Sequence, residues 1–93
     1  MKKILLWLIM GTRGGLNRGK IIKALHKRPY NTNNLSEKLK LNYRTVAHHL
    51  KILEKNKVVN SFGEKYGKVY LLSDNMEKNY NEFNNIWKQL EED

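Results

Sequence analysis

The side chains best suited to chemistry in this sequence lie in one stretch, N-Y-R-T-V-A-H-H-L-K-I-L, from Asn42 to Leu53. On a helical wheel Arg44, Ala47, His48, Lys51 and Lys55 share one face, while Val46, Leu50 and Leu53 fall on the other. One face offers cations, hydrogen-bonding groups and a small residue; the other requires a core. Such a helix has the chemistry to enter a DNA groove. Its first residues reach deepest, so Tyr43, Arg44, Ala47 and His48 are the expected base contacts, with Arg44 able to grip guanine by two bonds. Thr45, Lys51 and Lys55 are placed for phosphate oxygens.

Other chemistries find few carriers. Only Glu37 and Glu54 are acidic in the first 60 residues, and no Ser or Cys stands in a nucleophile context, so no enzyme is expected. His48 and His49 point about 100° apart on a helix and cannot share an ion as an i, i+4 pair can. His26 stands alone, and no metal site is expected. Gly14-x-x-x-x-Gly19-Lys20 approaches a phosphate-binding loop, but Ile21 stands where Ser or Thr must hold Mg²⁺. No cofactor follows from it. Arg13 and Arg18, around Gly14-Gly15, suit phosphate contacts at a helix N-terminus as well as they suit a plain turn.

Charge is divided along the chain. Residues 1–60 carry 14 Lys and Arg against two acids, and residues 61–93 carry four Lys against seven acids. This pattern implies a polyanion-binding body and a separate element kept away from the polyanion. There is no cysteine, which fits a reducing cytoplasm and rules out disulfides and thiolate metal sites. The apolar run Ile4–Met10 is too short to span a membrane and lacks a leader's cleavage pattern. It is expected to form a core or interface helix.

Helical periodicity places a second helix over about 16–27, ended by Pro29, and a third over about 33–39 with Leu35 and Leu39 inward. Tyr30–Thr32 reads as a linker holding an N-cap. Asn42 caps the helix of about 43–56. The period then changes to two, giving a β-hairpin over about 58–72 around a Gly63–Gly67 turn. Asp74 and Glu77 have capping-box spacing before a last helix of about 75–91. The third and fourth helices form a helix-turn-helix, and the hairpin forms its wing, with Lys65 and Lys68 set for the DNA backbone or minor groove. Met76, Tyr80, Phe83, Trp87 and Leu90 make a narrow apolar seam that exceeds the needs of one small core. Pairing this seam, together with Trp7, against a second copy gives a C₂ dimer.

T-V-A-H-H-L-K-I-L-E-K-N-K-V-V (Thr45–Val59) followed by Y-G-K-V-Y-L-L-S (Tyr66–Ser73) resembles the winged helix-turn-helix of ArsR-type transcriptional regulators. G-T-R-G-G-L-N-R (Gly11–Arg18) and R-P-Y-N (Arg28–Asn31) resemble an archaeal branch of small DNA-binding proteins with that fold. The resemblance implies a homodimer that reads DNA with Tyr43–Asn56 and dimerises through its terminal helices. Metal sensing is not carried over, because the family's cysteines are missing. The expectation is a mainly α (α+β) winged helix-turn-helix over 1–73 with a dimerisation helix over 74–93. It is expected to be a cytoplasmic, sequence-specific binder of double-stranded DNA that regulates transcription, with no membrane and no obvious small-molecule ligand. A sequence-tolerant chromatin protein, and a winged helix that binds proteins in a transcription or replication assembly, are the alternatives.

Overall fold

A computed structural model describes residues 1–92, without the side chains of Tyr66 and Glu92. Helices α1 (Lys2–Ile9), α2 (Gly15–Lys27), α3 (Thr32–Leu39) and α4 (Tyr43–Lys55) precede the wing, and α5 (Asp74–Lys78) and α6 (Tyr80–Glu92) follow it. Strands β1 (Tyr30–Asn31), β2 (Val59–Phe62) and β3 (Val69–Leu72) form one antiparallel sheet in the order β1-β3-β2. The winged-helix fold expected from the sequence is therefore present.

The first apolar run is a helix whose two sides have different fates. Leu5, Leu8 and Ile9 are buried, while Ile4, Leu6, Trp7 and Met10 stay exposed. Gly15 opens α2 because a Cβ there would lie 1.7 Å from the Ile9 carbonyl oxygen, so only glycine lets α2 start against the end of α1. Asn31 caps α3, its side-chain oxygen accepting from the Asn34 amide at 2.7 Å. Asn42 caps α4 in the same way, accepting from the Arg44 amide at 2.8 Å. Leu35 of α3 and Val46, Leu50 and Leu53 of α4 are fully buried, so these helices pack as a rigid pair.

Three local expectations are corrected. Tyr30–Asn31 is a strand, not a linker, and pairs with β3 through Tyr30↔Tyr70 and Asn31↔Val69. Pro29, which has no N–H to contribute to a ladder, sits just outside that edge strand. The last helix is two helices, because Asn79 folds its amide onto the Asn75 carbonyl at 2.7 Å and interrupts the run. Ser73, not Asp74, is the N-cap: its hydroxyl accepts from the Met76 amide at 3.0 Å and donates to the Lys57 carbonyl at 2.9 Å.

A fourth correction concerns the seam. Met76 and Phe83 are fully buried within the single chain, and Trp87 is 7% exposed. They share one core with Leu5, Leu8, Ile22 and Leu25, so they have no surface to offer a second copy. Tyr80 and Leu90 are half-buried at its margin. Tyr80 stacks on His26 with ring centroids 3.6 Å apart, and burial followed by the nearby Glu77 charge pushes its hydroxyl above the ordinary value.

Candidate nucleic-acid interface

Helix α4 displays the face its spacing predicts. Tyr43, Arg44, His48, Lys51 and Lys55 are exposed, and Thr45 and Ala47 are half-buried. The opposite face is fixed in the core, so the exposed side chains project from a rigid support. A cap on the first free amides keeps the leading turn of α4 formed where Tyr43 and Arg44 emerge. His49 turns inward and is 6% exposed.

The wing meets the helix-turn-helix at a recess of about 380 Å³, lined by Asn31, Thr32, Asn33, Tyr43, Lys65 and Lys68. No acidic side chain lines it. Both predicted wing cations thus converge with Tyr43 and with the N-terminus of α3, a combination that suits a phosphate. Lys68 lies 5.7 Å from the centroid of the Tyr70 ring, which holds its stem beside the sheet. Thr32 and Asn33 are additions to the sequence-derived set. Their signal was the Asn31 cap, which marks a helix N-terminus, but its position beside the wing depends on β1 pairing with β3.

Arg13 is exposed in the turn between α1 and α2, outside that recess. Arg18 is corrected outright. It is 4% exposed, and its guanidinium faces the interior rather than a phosphate. Nε donates to the Leu8 carbonyl at 2.9 Å, and Nη2 donates to the Thr12 hydroxyl. Nη1 lies 3.3 Å from Nδ1 of His49. Arginine has only donors, so this His49 nitrogen accepts and the ring is neutral with its proton on Nε2. Burial first, then the positive charge of Arg18 and then His48, push His49 below its ordinary pKa. Burial likewise lowers Arg18. The cation sits at the C-terminal end of α1, where the free carbonyls carry partial negative charge. One guanidinium therefore ties the end of α1 and the following turn to the back of α4.

No group of three or more His, Cys, Asp or Glu that could hold a metal is found among the described residues. No described helix is long and apolar enough to cross a membrane.

These elements define a winged helix-turn-helix, a class built to present one helix to a nucleic-acid groove. More narrowly, residues 17–61, from α2 into β2, match the family model described as bacterial regulatory protein, arsR family. No curated protein sequence matches the chain. Among solved structures the chain is similar to the transcriptional regulator HlyU from Vibrio vulnificus CMCP6, with a TM-score of 0.69 and 22% identity over 92% of this chain and 88% of that one. Reduced HlyU from Vibrio cholerae N16961 gives a TM-score of 0.66 and 24% identity, covering 83% of this chain and 79% of that one. Quinone-bound YodB from B. subtilis gives 0.69 and 22%, covering 99% and 98%. At these identities the likeness establishes a shared fold.

Proposed function

We propose that the chain is a homodimeric, sequence-specific binder of double-stranded DNA that regulates transcription in the cytoplasm. The observation that carries this reading is helix α4: three of its residues are locked in the core while Tyr43, Arg44, His48, Lys51 and Lys55 face outward from a capped first turn. In this reading Tyr43, Arg44, Ala47 and His48 meet base edges in the major groove. Thr45, Lys51, Lys55 and Arg13 meet phosphates, and Lys65 and Lys68 bring the wing onto the backbone. The ArsR-type match over residues 17–61 supports it.

Dimerisation is assigned to the outer face of α1 with the rim of α6. Ile4, Leu6, Trp7 and Met10 are 39%, 37%, 55% and 44% exposed on one short helix and its C-cap, which is unusual for a surface that stays in water. Beside them runs a groove between α1 and α6, where one carboxylate oxygen of Glu82 is buried without a hydrogen-bond partner among the described residues. A second copy covers this apolar face.

The test is selection of bound duplexes from random DNA, repeated at two salt concentrations. The expected result is an enriched inverted repeat whose half-sites lie about 10 base pairs apart, with affinity falling steeply as salt rises. Salt-sensitive binding without any enriched sequence gives the chromatin alternative instead. No duplex binding at low salt rejects both.

A further inference from the structure

Helix α2 carries Lys20, Lys23 and Lys27 at i, i+3 and i+7, and these side chains border a recess of about 250 Å³ that Lys38 of α3 completes. Its floor is apolar, formed chiefly by Leu39 together with Ala24 and the small part of Trp87, 7% of the residue, that stays exposed. Trp87 reaches this position because residue 19 is glycine: a Cβ there would stand 2.1 Å from the indole ring. Lys23 Nζ lies 5.6 Å from the ring centroid. Its one ion pair, to Glu91 at 3.9 Å, joins two well-exposed side chains and is screened by water. Lys20, Lys27 and Lys38 form no ion pair among the described residues. Four lysines thus line an apolar floor with no acid in the lining.

We propose that this recess binds a small aromatic carboxylate, its ring on Leu39 and Trp87 and its carboxylate among the lysines. Inorganic phosphate would satisfy the cations but leave the floor in water. A neutral aromatic would cover the floor but leave the lysines unmatched. The size fits a ligand of roughly ten to fifteen heavy atoms and falls just below the range of ordinary binding sites. The recess shares no lining residue with the one beside the wing, and Lys38 lies six residues, or about 9 Å along the helix axis, from Thr32. Three elements meet there, so a bound ligand bridges α6 to α2 and α3.

The test uses the full chain without DNA, so its outcome and that of the DNA reading are independent. 1-Naphthoate is titrated while the indole N–H resonance of Trp87 is followed by ¹⁵N-correlated NMR. Trp7→Phe identifies that signal, because the chain has two tryptophans. A saturable shift is expected, weakened about tenfold by the paired exposed-site variant Lys20→Ala/Lys38→Ala, which leaves the fold intact. The neutral 1-naphthalenemethanol should bind at least about tenfold more weakly. The proposal is overturned by the absence of saturation up to about 10 mM. It is equally overturned if the neutral compound or inorganic phosphate gives the same shift, or if the lysine variant binds like the wild type.

Discussion

Replacing Arg18 by alanine separates two accounts of one residue. By sequence it suits a phosphate contact; in the structure it is 4% exposed and donates to Leu8, Thr12 and His49. A hydrogen bond to a charged group contributes about 1.5–3 kcal/mol, so three contribute roughly 5–9 kcal/mol before opposing terms. The largest opposing term is desolvation, several kcal/mol for a buried cation with no carboxylate beside it. The C-terminal dipole of α1 offsets up to about 2 kcal/mol of that cost. Truncation removes the charge but leaves the Nδ1 acceptor of His49 without its donor, Leu8 with one donor fewer, and a gap where the guanidinium lay. The net loss should be about 2–4 kcal/mol. For a chain of 93 residues this lowers Tm by roughly 10–20 °C. Arg18→Lys keeps the charge but cannot bridge three groups from one ammonium, and should lose about half as much. Far-UV circular dichroism on heating measures both, and duplex affinity is measured well below the transition. If Arg18→Ala keeps its Tm but loses affinity and part of its salt dependence, Arg18 is a surface phosphate contact and the buried placement is wrong.

The wing is tested by Lys65→Ala/Lys68→Ala, which removes two phosphate contacts per protomer. A dimer then loses four, and the plot of log K against log salt should become shallower by about 3.6; an unchanged slope takes the wing off the DNA. His49 gives a pH dependence. Its folded pKa is lowered, so the folded state prefers the neutral ring. The stability this contributes is complete above the unfolded value of about 6.5 and is lost as pH falls from there through the folded pKa. Heating scans across that range should show Tm falling with acid for the wild type and a flatter profile for His49→Gln, whose amide oxygen can still accept from Arg18; identical profiles would exclude His49 as the source. Trp7→Asp should give a folded monomer in sedimentation, since Trp7 is 55% exposed, whereas Phe83→Ala should cost about 3–5 kcal/mol of stability. A Trp7→Asp chain that remains dimeric would move the interface elsewhere.

The reading helix was legible because its signals are local. Asn42 caps it, and Val46, Leu50 and Leu53 repeat at four and three, so neither depends on distant parts of the chain. Elements fixed from outside were not legible. Two residues, Tyr30 and Asn31, are too few to show a period, and only β3 makes them a strand. The break at Asn79 is invisible in the apolar pattern, which runs unbroken from Met76 to Leu90 while the backbone turns on an asparagine side chain. Arg18 resembles a solvent cation in its glycine-bordered setting; its burial follows from three segments meeting at Leu8, Thr12 and His49.

The misplaced seam follows from where the core was judged complete. Counting Met76, Phe83 and Trp87 as surplus assumes that the first two helices already have a covering wall. They do not: α1 packs on both α2 and α6, and the inner faces of Leu5, Leu8 and Ile22 share a core with Phe83 and Ile86. Gly19 was the available clue, since a glycine within a helix weakens it unless something packs against the bare backbone, and here that is the ring of Trp87. Once α6 is spent on this wall, the apolar excess moves to the far side of α1. The short run Ile4–Met10 is apolar all round: one side is buried within the chain, and the other is the face proposed for a second copy. The same packing joins α6 through Trp87 to α2, and α1 through Arg18 to α4. The surface proposed for dimerisation and the helix proposed to read DNA are therefore connected by one indole and one buried guanidinium.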